Sequence, residues 1–414
     1  MPQPARPRPH QIPRWRVPMI ARDPAQRDRA STPLEAFFDL CFVVAVSQAA
    51  AGLHEKVAGG QIGLGVLEYA FVFFGIWWAW MNFTWFASAY DTDDVPYRLL
   101  TLLQIAGVLV YAAGIPQTFA SGSFLIATIG YVIMRVALVT QWLRAAWSHP
   151  EGRATALRYA VLVAACQVGW ILRLLVPGSA GMVGFAVLAG CELAVPWIAE
   201  RGRQTSWNAG HINERFGLFT IIVVGESVAA ATQAMTSAVS ERGVSVQLAV
   251  LALAGLVLVF GIWWLYFKHD ATEALDQRES GVRRRTAFTW GYGHYGIFAA
   301  IAATGAALDL AIGSIDERSR QGIVVAAFAL AAPVALYLAV SATLHAQLPT
   351  DRRYLPLRYT YLAGLLCLLV AATALFLPLA VPVCGVALVV ALLLAGNLLH
   401  AELRPPAEDA LPQV

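Results

Sequence analysis

The stretch FVFFGIWWAWMNF, residues 71–83, decides how this chain must be read. It holds one polar side chain, Asn82, among aromatic and aliphatic residues, and its core FGIWW returns at residues 260–264 inside LVFGIWWLYFKHD. A soluble domain has no face for such a run, and the whole chain repeats its character. Hydrophobic residues make up 58%, charged residues only 13%, and the mean hydropathy is +0.60, whereas a soluble globular protein carries about 25% charge. Crossing roughly 30 Å of hydrocarbon takes about 20 apolar residues in a helix. Such segments lie near 33–54, 62–88, 97–119, 122–146, 154–176, 181–199, 210–235, 244–268, 286–311, 319–347, 357–378 and 380–402. In lipid the backbone must satisfy its own hydrogen bonds, and these segments are too long for barrel strands. The expectation is an all-α integral membrane protein of twelve transmembrane helices.

The five cysteines fall inside these segments without CxxC spacing, and read as small buried hydrophobes. Residues 1–31, with seven arginines and several prolines, read as a solvated, disordered basic tail and not as a signal peptide. Arginines and lysines gather in alternate loops, at Arg144, Arg153 and Arg158, at Arg201 and Arg203, at Lys268 to Arg285 and at Arg352 to Arg358. By the positive-inside rule both termini are cytoplasmic. The net charge of +3 follows from these loops and gives no case for nucleic acid.

The repeated pentapeptide extends into a larger pattern. LEAFFDLCFVVAV opens the first span and INERFGLFTIIVV the seventh, pairing Glu35 with Glu214, 179 residues on, while FGIWW returns after 186. Two six-span units follow, 33–199 and 208–402, joined by a linker at 200–207 and closed by a tail at 403–414. An even number of spans makes them parallel repeats, as in many transporters, with the chemistry between them.

The blocks TPLEAFFDLCFVVAVSQ (32–48), IWWAWMNFTWFASAYDTDDVPYRLLTLLQ (76–104) and HINERFGLFTIIVVGES (211–227) together resemble the bacterial low temperature requirement protein A family over almost the whole chain after residue 31. The resemblance implies a polytopic protein of the bacterial inner membrane, tied by name to growth in the cold, and implies no reaction.

Side chains must supply the rest. Charges at membrane depth cost about 2.5–3.5 kcal/mol each on insertion scales. Arg135 lies mid-span in the fourth segment, Glu192 in the sixth and Glu226 deep in the seventh, so Arg135 pairs with Glu192 or with Glu226. Such a pair either fixes helix register or exchanges a proton as a substrate passes. Glu35 and Asp39 share one helix face at i, i+4, and His211 and Glu214 lie at i, i+3. Early acids also complement a helix dipole. His294, among glycines in the ninth span, suits a proton relay or a satisfied core position.

Asp91, Asp93 and Asp94 crowd the loop after span two, and Asp270, Glu273 and Asp276 the loop after span eight. Two facing acidic clusters have the chemistry to hold Mg²⁺ against a substrate diphosphate, in the general layout of intramembrane prenyltransferases, although neither loop has DDxxD spacing. The same clusters are equally consistent with hydrated loops paired to arginines. Trp77, Trp78, Trp263 and Trp264 would then line a cavity, or simply pack. Two functional readings stand: a secondary transporter or proton-coupled pathway without a cofactor, with Glu35, Asp39, Arg135, Glu192, His211, Glu214, Glu226 and His294 as relay candidates; or a Mg²⁺-dependent membrane enzyme, prenyltransferase or terpene cyclase-like, acting on an isoprenoid or lipid diphosphate. Membrane lipid and a small-molecule or ionic substrate that the sequence does not name are the partners expected, and a passive scaffold is the third possibility.

Overall fold

A computed structural model describes residues 15–26, 29–176, 178–268, 272–275, 280–346 and 354–403. All regular structure among them is helical: α1 (Pro33–Ala58), α2 (Ile62–Tyr90), α3 (Val95–Ser121), α4 (Leu125–Ser148), α5 (Arg153–Arg173), α6 (Gly178–Ala199), α7 (Ala209–Arg242), α8 (Val246–Phe267), the single turn α9 (Thr272–Leu275), α10 (Ser280–Gly313), α11 (Arg320–His345), α12 (Arg358–Ala371) and α13 (Ala380–Leu403). Twelve segments are long and apolar enough to cross a membrane, one for every helix but α9, with α12 continuing to Leu375 to complete its own, and each coincides with a segment expected from hydropathy.

Local chemistry sets the helix starts. Thr32 and Glu35 form a reciprocal capping box at the head of α1, with Pro33 in its first turn. Asp94 caps α3 by accepting from the Tyr97 amide, and Asn208 caps α7 by accepting from the His211 amide. Between α3 and α4 the helices touch backbone to backbone, because a Cβ on Gly130 would run into the Tyr111 nitrogen and the Gly107 carbonyl.

Each helix from α3 to α6 packs on the next, as do α10 to α13, while α7 lies on α10 and α8 on α13. Helix α1 links the assembly, touching α2, α3, α7 and α10. Trp80 of α2 stacks on Phe219 of α7 with ring centroids 4.4 Å apart. The Tyr69 hydroxyl donates to the Ala299 carbonyl at 2.7 Å, and the Tyr295 hydroxyl to the Ala70 carbonyl at 2.8 Å.

The two FGIWW stretches meet different surroundings. Trp77 and Trp78 are 2% and 0% exposed, whereas Trp263 and Trp264 are 43% and 45% exposed. Helix α2 is enclosed by neighbours, and α8 presents these rings on the outside of the bundle, where a membrane protein meets lipid.

Of the stretch read as a solvated tail, residues 1–14, 27 and 28 lie outside the described residues, and the rest is held against the bundle. Residues 15–26 and 29–31 lie across the end of the bundle where α1 begins and α2 ends: Met19 is fully buried, the Val17 amide donates to Asp94 Oδ2 at 2.7 Å, and the Arg22 amide donates to the Ala89 carbonyl at 2.9 Å. Backbone hydrogen bonds hold this strap where composition alone suggests only charge. The cysteines are free as expected, but only Cys166 and Cys367 are buried; Cys41 and Cys384 are half-buried and Cys191 is exposed.

Candidate functional site

The first candidate locus joins α1 to α7. Glu35 and Asp39, one turn apart, point at Arg215, and all three are fully buried. Arg215 grips Asp39 with two nitrogens, Nε to Oδ2 at 2.9 Å and Nη2 to Oδ1 at 2.5 Å. Its third nitrogen, Nη1, lies 3.1 Å from Glu35 Oε1, and His211 Nε2 lies 3.2 Å from the same oxygen. Trp80 closes the group by donating its indole N–H to Asp39 Oδ1 at 2.7 Å. The other Glu35 oxygen accepts from the Thr32 amide at 2.8 Å, so one carboxylate serves both the helix cap and the charge cluster. Glu214, the residue that sequence alignment pairs with Glu35, lies aside from this group and accepts from the Ser31 amide at 3.2 Å.

The second locus lies within the first six spans. Glu192 of α6 accepts from the Trp78 indole at 2.9 Å, the Gln167 amide at 3.1 Å, the Trp170 indole at 3.2 Å and the Tyr131 hydroxyl at 3.3 Å. Arg135 approaches the same carboxylate at 3.9 Å and donates to the Tyr131 oxygen at 2.5 Å, while its Nε and Nη1 have no hydrogen-bond partner. Of the two carboxylates open to Arg135 in the sequence, Glu192 is the partner. Glu226 is half-buried on α7 and meets Ser47 of α1 instead.

His294 is a satisfied core histidine. Its Nδ1 lies 2.7 Å from the Trp290 carbonyl and its Nε2 2.9 Å from the Tyr266 hydroxyl, which assigns a neutral ring donating at Nδ1 and accepting at Nε2.

The acidic loop after α2 is occupied by arginines. Asp91 pairs with Arg22 at 3.1 Å, Asp93 binds Arg98 through two contacts of 2.8 Å, and Asp94 forms a forked pair with Arg144. Asp270 and Asp276 lie outside the described residues, and Glu273 falls on α9. Among the described residues no group of three His, Cys, Asp or Glu side chains is disposed to hold a metal.

The sequence that carries these buried carboxylates and arginines, on α1, α4, α6 and α7, matches the family described as bacterial low temperature requirement A protein (LtrA) over residues 30–396. The chain belongs to that family. It is therefore a multi-pass membrane protein of a bacterial family, and both charge loci fall inside the LtrA match. No curated protein matches it.

In this LtrA protein the residues that sequence reasoning passes over are the partners. Arg215 completes the first locus, while Tyr131, Gln167 and Trp170 complete the second. Arg215 stands beside Glu214 near a helix start, where any charge reads as solvated; its spacing from His211, i and i+4 on one helix face, is the signal that could have found it.

The acidic loop makes opposite demands on pH. Burial, then the Glu35 charge, pushes Asp91 up to about 6 against Arg22 and Arg29. Burial acts the same way on Asp94, but the Arg144 guanidinium and the Val17 and Tyr97 amides outweigh it and hold this carboxyl below its ordinary value. A carboxyl whose folded value is raised favours the folded state below its unfolded value, near 4, and that favour is lost as pH rises through about 6. A depressed one favours folding above its unfolded value, and this is lost as pH falls through its folded value. Replacing Asp91 by Asn is therefore expected to raise stability at pH 7, by up to about 3 kcal/mol from roughly two units at 1.36 kcal/mol each, and to flatten the profile between pH 4 and 6. Asp94→Asn is expected to lower stability at pH 7. Unfolding midpoints in detergent from pH 4 to 8 check both, and equal shifts of the same sign would contradict them.

Proposed function

We propose that this protein is a proton-coupled secondary transporter of the bacterial inner membrane, with both termini cytoplasmic and the α1–α7 charge cluster as its coupling site. One observation carries the reading: two carboxylates share a single guanidinium in a fully buried group, and a histidine completes it. With a neutral imidazole the group holds one net negative charge; with one added proton it is neutral. A buried uncompensated charge costs several kcal/mol, so occupancy of that proton site alters the stability of the contact between α1 and α7.

The setting supports this. The contact joins the two six-span units, and rocking of such units about a central site is how many secondary transporters alternate access. The order of packing supports descent of the units from a common ancestor: α1 on α3, α3 on α4, α4 on α5 and α5 on α6 recur as α7 on α10, α10 on α11, α11 on α12 and α12 on α13. The strap of residues 15–26 and 29–31 covers the same end of the bundle, and Arg29 donates to the Ala87 and Ser88 carbonyls at the end of α2. A transporter caught with that side shut would present this arrangement.

Proton uptake into proteoliposomes under an imposed membrane potential tests the proposal. Glu35→Gln and His211→Gln are each expected to slow uptake roughly 100-fold, the lower range for a positioned proton-transfer group. Asp309→Asn, paired with His54 away from the cluster at the other end of α1 and α10, serves as the control. Equal flux through wild type and all three variants would sink the assignment.

A further inference from the structure

A pocket opens between α2, α4, α6, α10 and the 200–207 linker, apart from the coupling cluster. Its wall is aromatic: Trp78 and Trp85 from α2, Trp142 from α4, Trp207 from the linker and Phe288 from α10, brought together from four separate parts of the chain. Trp85 and Trp207 meet edge to face at 4.8 Å, and Trp142 stacks on Tyr159 at 4.3 Å, so the rings hold one another in place. Glu200 is the single charged residue among those lining the pocket, and it is buried. It is anchored by the Thr205 hydroxyl at 2.7 Å and the Tyr159 hydroxyl at 3.2 Å.

We infer that this pocket binds a compact organic cation of the quaternary-ammonium class. Aromatic faces present negative potential, and a cage of them recognises an alkylated ammonium that has no N–H to give. Glu200 adds a negative charge to the same wall. Behind the cage, Trp78 donates its indole N–H to the Glu192 carboxylate, which polarises the ring toward greater negative potential on its face.

Size argues against a lipid chain. The space open to water is about 40 Å³, and one water needs about 10–15 Å³ on that measure. The apolar crevice between α2 and α11 offers about 660 Å³, so a chain has a roomier place and this pocket suits a small headgroup-sized molecule. As the substrate of the transport proposed above, such a cation would rest on that reading; as a bound ligand it does not.

Choline and 3,3-dimethylbutan-1-ol have the same shape and hydroxyl and differ in the charge. Tryptophan fluorescence titration of the purified full chain in detergent is expected to show choline binding at least roughly tenfold tighter than the neutral alcohol. Trp85→Leu, which removes one ring of the aromatic wall, is expected to weaken choline and tetramethylammonium alike by roughly tenfold. Glu200→Gln is expected to erase most of the preference for charge. Equal affinity for choline and the alcohol, or choline affinity indifferent to Trp85→Leu, would overturn the inference even if the Glu200 variant fails to fold. Selective binding without choline-driven proton uptake in proteoliposomes would keep the site and defeat the transport reading. Proton uptake that needs Glu35 but is blind to choline, with no choline binding by fluorescence, would do the reverse.

Discussion

Arg215→Met is expected to destabilise the protein by about 3–5 kcal/mol, the range for stripping one partner from a buried ion pair. The guanidinium touches both acids, with two nitrogens on Asp39 and the third on Glu35. Without it Asp39 keeps only the Trp80 indole N–H, and Glu35 keeps His211 and the Thr32 amide. Two carboxylates would then lie fully buried, with one histidine against Glu35. Because the group bridges α1 and α7, the loss should appear in the contact between the two sets of six spans, seen as a lower unfolding midpoint in detergent. Arg215→Lys should fall between, since an ammonium keeps the charge and cannot fork onto Asp39. The decisive comparison is Arg215→Met combined with Asp39→Asn, which removes one charge of each sign and is expected to recover most of the loss. A double variant no more stable than Arg215→Met alone would show that charge compensation is not what the cluster contributes.

The twelve spans were legible because hydropathy is read one residue at a time, and a run of about 20 apolar residues fits little besides a membrane crossing. Depth was legible for the same reason: Arg135 and Glu192 stand alone in apolar runs, so their burial follows from their neighbours in sequence. Pairing was not, since it depends on how helices rotate about their axes, and the apolar pattern here runs all round most of them. Arg135 therefore faces Glu192 and Glu226 with equal right in the sequence, and only the placement of α6 against α4 and α5 decides. Identity of residues does not decide environment either. The same five residues bury both tryptophans in α2 and expose both in α8, because α2 is surrounded and α8 leans on α13 at the margin. The strap escapes a reading by composition for a different reason: it is held chiefly by backbone groups, which every sequence possesses.

At the second locus the expected effects are unequal, and the inequality is the test. Glu192→Gln is expected to cost about 3–5 kcal/mol, and Arg135→Met less. The carboxylate is already solvated by the protein, with donors from Trp78, Gln167, Trp170 and Tyr131. Deprived of Arg135 it keeps all four, and a carboxylate can also take up a proton. The guanidinium has neither resource: two of its nitrogens have no partner, and it cannot be deprotonated in a protein. Left without the Glu192 carboxylate it stays charged in the membrane interior, and the amide that Glu192→Gln introduces would present its own N–H groups to some of the donors that now point at the carboxylate. Unfolding midpoints of the two variants give the order, and an Arg135→Met protein weaker than Glu192→Gln would refute it. The same substitution reaches the aromatic pocket, because Glu192 fixes the Trp78 ring through its indole N–H. Glu192→Gln should weaken choline binding along with stability, whereas Arg135→Met, which leaves the Trp78 hydrogen bond in place, should lower stability and leave binding intact.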